Sequence, residues 1–178
     1  MFGLFQQKNP YEQAAGNLYQ IIADQAREPA FYTEYSVPDT IDGRYDLLLL
    51  HIFMVLHRLI KEEGAAKDMA QALFDITFAD MDQALRQVGI GDMGIPKHMR
   101  RMMKAFNGRM HAYETALKGG TLETALERNV YGGRNSQVKK LESHVLESIG
   151  YIEKQDLSLI LRGEVLFLPT QEKVRSYG

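Results

Sequence analysis

The sequence predicts an all-α protein: a single-domain bundle of about six to eight helices spanning residues 1–178, closed by a short extended C-terminal segment. Three observations carry this. Apolar residues recur at three- and four-residue spacings through nearly the whole chain. Helix starts at Asn9-Pro10, Thr121 and Asp156 alternate with glycine stops at Gly64, Gly119-Gly120 and Gly163. One stretch, from about Asp42 to Glu63, carries Leu, Ile, Phe, Val or Met in almost every direction, and such a helix belongs at the centre of a bundle.

The elements follow in order. Asn9, Pro10 and Glu12 read as N-cap, first helical residue and capping-box acid, opening a helix to about Arg27 that buries Tyr11, Leu18 and Ile22. Pro29, and then Pro38 with Asp39 and Thr40, reduce the next stretch to a short turn of helix and a connector. In the central helix only Arg44, His51, Arg58 and Glu62 form a polar column, at about 100° per residue. The next helix, about Ala66 to Val88, places Ala70, Phe74, Phe78, Met81, Leu85 and Val88 on a buried face and Asp68, Asp75, Asp82 and Arg86 toward solvent. Asp80 stands out because it falls in line with Met69, Leu73 and Ile76. A carboxylate there needs a cation or donor, expected from the column of Arg44, His51 and Arg58, and its removal is expected to cost on the order of 3 kcal/mol.

Beyond Gly89, Gly91, Asp92 and Gly94, Pro96 opens a helix whose apolar stripe is Met99, Met103, Phe106, Met110, Tyr113 and Leu117. From Met93 to Tyr113 there is no Asp or Glu, while Lys97, Arg100, Arg101, Lys104 and Arg109 are cationic, on a chain of net charge -2. A short helix from Thr121 to about Val130, a loop from Tyr131 to Asn135, a helix over about 136–152 and a last turn capped by Asp156 complete the helices. Glu164 to Leu168 is apolar and extended, and a polar, frayed tail is expected beyond Pro169.

Composition excludes several functions. There is no cysteine, which removes disulfides, thiolate metal sites and Cys nucleophiles. No stretch is long and apolar enough to cross a bilayer, and residues 1–8 lack the form of a secretory signal, so the protein is expected to stay where it is made. Gly89, Gly91 and Gly94 have the spacing of a dinucleotide fingerprint but follow a helix rather than a strand, which favours a helix cap and tight turn. The histidines at 51, 57, 98, 111 and 144 lack metal-ligand spacing, and no serine lies in a nucleophile elbow. No metal, cofactor or enzymatic site is expected. The cationic face is either a solvated face or a site for anionic lipid or an acidic partner; nucleic acid is not expected, given the net charge and the lack of a binding motif.

Several segments together resemble a known family. Val37-Pro38-Asp39-Thr40 precedes Gly43-Arg44-Tyr45 and Leu50-His51. Leu85-Arg86 comes with Gly89-Ile90-Gly91-Asp92, Phe106-Asn107-Gly108-Arg109 with Ala112-Tyr113, and Leu126 to Tyr131 closes the series. In order and spacing these resemble the ubiquinol-cytochrome c chaperone family, over about residues 37–168. The resemblance implies an all-helical assembly factor of the cytochrome bc complex that binds newly made cytochrome b without turnover. It also implies a cytoplasmic protein, peripheral at the inner membrane; the short N-terminus, without a targeting peptide, is that expected of a bacterial member. Arg44, His51, Arg58, Asp80, Arg86, Asp92, Lys97, Arg100, Arg101, Lys104 and Arg109 are the candidate partner contacts. The alternative is a helical adaptor or peripheral lipid-surface module unrelated to respiratory assembly.

Overall fold

The computed structural model describes residues 8–170; the expected polar tail from residue 171 and the N-terminal residues 1–7 lie outside them. Among the described residues every regular element is helical. They are α1 (Glu12–Ala26), α2 (Pro29–Thr33), α3 (Ile41–Leu59), α4 (Ala65–Gln87), α5 (Ile95–Leu117), α6 (Leu122–Leu126), which continues as a π-turn (Glu127–Tyr131), α7 (Val138–Glu153) and α8 (Leu157–Leu161). The chain is therefore the all-α bundle that the periodicity predicts.

Helix α3 occupies the centre: beyond its first turn, from Tyr45 to Leu59, none of its residues is exposed. Leu47, Leu49, Leu50, Ile52, Phe53, Met54, Val55 and Leu59 are all buried, against α1, α4, α5, α7 and the π-turn. Its start depends on three residues. The Thr40 hydroxyl accepts a hydrogen bond from Gly43 N at 3.0 Å. Gly43 is required because a Cβ there would collide with the Pro38 carbonyl, so the chain can fold back across its own first turn only with hydrogen at that position. The helix ends at Leu59, earlier than expected, and Gly64 precedes α4 rather than stopping α3.

Asn9 organises the entry to α1, though not as a reciprocal capping box. Its side-chain oxygen accepts from Tyr11 N at 2.9 Å, and its amide donates to the Asp68 carbonyl at 2.9 Å, tying the start of α1 to α4. Glu12 instead pairs weakly with Lys8 at 3.7 Å. Helix α4 buries two faces: Met69, Leu73 and Thr77 are buried in the interior, while Phe78 joins Phe74 and Phe106 of α5 in an aromatic triad with centroids 4.5–5.6 Å apart.

The C-terminal segment is extended but pairs with no strand. Gly163, at φ +86°, lies against the Ala14 carbonyl so closely that a Cβ would overlap it. The chain then runs over the bundle, held by the Gln155 side chain. That amide donates to Leu166 O at 2.7 Å and accepts from Leu166 N at 2.9 Å, an imitation of strand pairing by one side chain. Phe167 follows, with its ring 5.5 Å from that of His51.

Candidate functional site

The second half of α4 and the first half of α5 project from the bundle. Between Asp82 and Ala105 only Ile95 is buried. The helices are joined by a glycine cap: Gly89 N donates to Arg86 O and Ile90 N to Leu85 O, each at 3.1 Å, the pair of bonds that terminates a helix where the next residue turns left-handed. The glycine triplet is thus a helix stop and turn, as its context predicts.

Between this hairpin and the start of α3 lies a groove of about 560 Å³. Ile41 and Tyr45 of α3, Met81, Leu85 and Val88 of α4, and Met102 and Ala105 of α5 give it an apolar lining. Ile41 and Val88 are 87% and 73% exposed, a costly placement for aliphatic side chains on a soluble surface when they sit together beside a concavity. Polar groups ring it: Asp42 and Asp46 on α3, and His98, Arg101 and Arg109 on α5. At its base the Tyr45 hydroxyl donates to the Met81 sulfur at 3.4 Å, and burial pushes that phenol up to about 12.

The candidate contacts fall into distinct settings. Arg109 is not an open cation: it donates to Asp46 at 2.6 Å, linking α5 to α3 at the groove, with both side chains largely enclosed. Burial pushes the Asp46 carboxyl above the usual carboxylate range, and the Arg109 guanidinium opposes that shift. Arg86 bridges two acids, Asp82 at 2.8 Å and Asp92 across the hinge. Arg44 is exposed and bound to Asp39 at 2.6 Å. Arg58 is paired with Glu62 at 2.6 Å with little exposure. His51, at 1% exposure, is enclosed among aromatic rings and is withdrawn from any surface. Lys97, Arg100, Arg101 and Lys104 are exposed, and among the described residues none has an ion pair or hydrogen bond.

The expected partner of Asp80 is corrected. Asp80 is exposed, and its carboxylate accepts from the Tyr19 hydroxyl of α1 at 2.7 Å rather than meeting the Arg44, His51, Arg58 column. The column lines a different helix face, and Arg44 and Arg58 already have carboxylates of their own. Burial pushes the Tyr19 phenol up, and the bond to Asp80 pushes it further. Asp80→Ala is accordingly expected to cost about 1 kcal/mol or less, the worth of one exposed hydrogen bond, while bringing the Tyr19 titration down. Spectrophotometric titration of tyrosine alongside urea unfolding checks both; a loss near 3 kcal/mol would restore the buried-charge account.

A second polar cluster ties three helices together. His57 Nδ1 of α3 lies 2.6 Å from Glu114 of α5, and its Nε2 lies 3.7 Å from Glu153 of α7, which also holds Lys61. By joining α3 to both α5 and α7 it has the geometry of a brace.

Comparison with known proteins decides the family. Residues 33–167 match the model of the family described as Ubiquinol-cytochrome C chaperone. The chain belongs to the ubiquinol-cytochrome c chaperone family. A crystal structure of the Cbp3 homolog from Brucella abortus superposes with a TM-score of 0.80 at 34% identity, covering 93% of this chain and 95% of that one. Ubiquinol-cytochrome-c reductase complex assembly factor 1 of Xenopus laevis is 26% identical over 166 residues, which cover 90% of this chain and 83% of that protein. The mouse and human counterparts are each 25% identical over the same length, but the chain covers only 56% of them. Family and relatives together indicate an assembly factor of ubiquinol-cytochrome c reductase.

Within this family setting, the groove residues are what the sequence pattern missed. Val88 was expected on the buried face of α4, and Met103 in the core stripe of α5. In the fold the bundle ends beneath Met81, so Val88 is exposed, and Met103 is 40% exposed while its neighbour Met102 lines the groove. Helical spacing alone does not choose between them, since Met102 is in line with Ala105 and Arg109 and Met103 with Met99 and Phe106, each three and four apart.

Proposed function

We propose that this protein is a chaperone for newly made cytochrome b in the assembly of ubiquinol-cytochrome c reductase, acting without turnover at the cytoplasmic face of the inner membrane, and that the groove between α3, α4 and α5 receives an apolar segment of that client. The observation that carries this is the exposed apolar pair, Ile41 and Val88, on opposite walls of an apolar groove in a member of this family. Methionine suits reversible capture, because its flexible, polarizable side chain packs against varied partners without demanding one shape. Met81 and Met102 supply this in the groove.

The unpaired side-chain charges at the groove, Asp42 and Arg101, are of opposite sign, so the apolar lining rather than charge is what favours the occupant. Ile41→Glu with Val88→Glu should leave the fold intact, since exposed substitutions change stability by less than about 0.5 kcal/mol each. Recovery of cytochrome b from mildly solubilised membranes should fall sharply with the purified variant as bait. Recovery equal to that of the wild type would remove the groove from the client surface, and recovery of no cytochrome b by either protein would overturn the proposed client.

A further inference from the structure

The outer side of α5 carries a cationic strip beside the groove. At 100° per residue, Lys97, Arg100, Arg101 and Lys104 fall within an arc of about 100°, and Asn107, Gly108, His111 and Thr115 continue the same face. All eight are exposed. No acid interrupts the strip, for Glu114, the first acid after Asp92, is turned inward to His57. From Lys97 to Thr115 this face runs about 27 Å along the helix, with its cations gathered in the first 10 Å or so. Arg101 alone of the four cations also lines the groove. Two methionines border the strip, Met93 at its hinge end, 98% exposed, and Met103 along one edge, 40% exposed.

We infer that α5 docks along its length on an anionic lipid bilayer, with Lys97, Arg100 and Lys104 on the headgroups and the exposed Met93 beside them at the hinge end. A long, acid-free helix face complements a planar negative surface, and the exposed Met93 at its end adds interfacial anchorage that charge alone lacks. An acidic loop of a membrane-protein client is a poorer fit, since cytoplasm-facing loops are enriched in Lys and Arg. Nucleic acid is a poorer fit because the sequence carries no recognisable nucleic-acid-binding motif. The place of action rests on the proposed membrane-protein client; the lipid chemistry does not. Docked this way, the projecting hairpin would hold the groove beside the bilayer where a client segment emerges.

Flotation of the purified full chain with vesicles of phosphatidylglycerol and phosphatidylcholine, against phosphatidylcholine alone, tests this. Binding should require phosphatidylglycerol and weaken with salt. Each cation at an anionic surface favours the bound state about fivefold, so K97E/R100E/K104E should lower partitioning by about a hundredfold or more, with circular dichroism and thermal unfolding unchanged. The K97Q/R100Q/K104Q variant, which adds no like charge, should show a smaller loss in the same direction and serves if the reversal misfolds. Met93→Ser should lower partitioning several-fold at constant charge. In detergent extracts, where no bilayer remains, the charge-reversed protein should recover client as well as the wild type, whereas an Ile41→Ser, Val88→Ser protein, which adds no charge, should float normally. Flotation of wild type independent of phosphatidylglycerol, or flotation of the triple variants equal to wild type, overturns the inference. So does a triple variant that floats normally but loses the client in detergent, which would put the strip on an acidic segment of a protein partner.

Discussion

Arg109→Met should destabilise the protein by about 3 kcal/mol at neutral pH, the lower end for removing one partner of an enclosed ion pair, and lower Tm by roughly 6–12 °C for a chain of this size. The loss arises at Asp46. Its carboxyl is already raised by burial, and the 2.6 Å bond from Arg109 is what opposes that shift. Without the guanidinium, Asp46 must either ionise in an unfavourable site or take up a proton. A carboxyl whose folded pKa lies above its unfolded value burdens the fold above the folded pKa and not below the unfolded one, so the damage should shrink as pH falls and Asp46 becomes neutral. Asp46→Asn in the Arg109→Met background should recover more than half of the loss, because the stranded charge is then gone. Urea unfolding at two pH values measures all three. A cost under about 1 kcal/mol that is independent of pH would mean that the pair does not brace α3 against α5, and that Arg109 is free to act as a client contact.

Acid should unfold the protein through its core histidines. His51 Nδ1 lies 2.8 Å from the Leu47 carbonyl, its Nε2 is buried without a partner, and the rings of Phe31 and Phe167 lie 5.0 and 5.5 Å away. His144 packs on Phe31 and Tyr35, with Nδ1 3.5 Å from the Tyr35 hydroxyl; around Tyr35 stand Lys140, over its ring, Glu34, bound to Lys140, and Glu147. Burial pushes both imidazoles down from 6.5 to about 4. Both are therefore neutral in the fold at pH values where the unfolded chain would protonate them. Their neutrality costs nothing above pH 6.5, and stability is lost as pH falls from there toward 4, on the order of 3 kcal/mol for each site when the descent is complete. Two such terms approach the whole stability of an ordinary domain. His51→Leu with His144→Leu should flatten the stability profile between pH 6.5 and 4.5, read from urea midpoints. An unchanged slope in the double variant would assign acid unfolding to the carboxylates instead.

The local signals carried a good deal of this. Thr40, Asp156 and the glycines at 89 and 163 act through neighbours within a few residues, so caps and stops were legible where their chemistry is. The charge separation of α5 was legible for the same reason, since it depends only on helical spacing. Errors appeared where the outcome depends on what lies underneath a helix. Helical spacing puts Val88 and Met81 on one face, yet Met81 has the bundle beneath it and Val88 has solvent. Asp80 lies in line with Met69 and Leu73, but it is opposite the rim of α1, where Tyr19 can reach it from solvent.

The alternation of apolar and polar residues along the chain was enough to specify helices, their limits to within a few residues, the central place of α3 and the sorting of charge on α5, because each follows from neighbours no more than a turn or two away. The order and spacing of several short segments along the chain was likewise enough to point to the family. Which ion pairs form, which methionine of the pair at 102 and 103 enters the groove, and that there is a groove at all required the packed chain. Those features are made by residues such as Asp46 and Arg109, or Ile41 and Val88, that are far apart in sequence and adjacent only after the hairpin has folded back past the first turn of α3. Burial, and with it the depressed histidines and the raised carboxyl, depends on that assembly, because desolvation is a property of everything around a group rather than of its place in the chain.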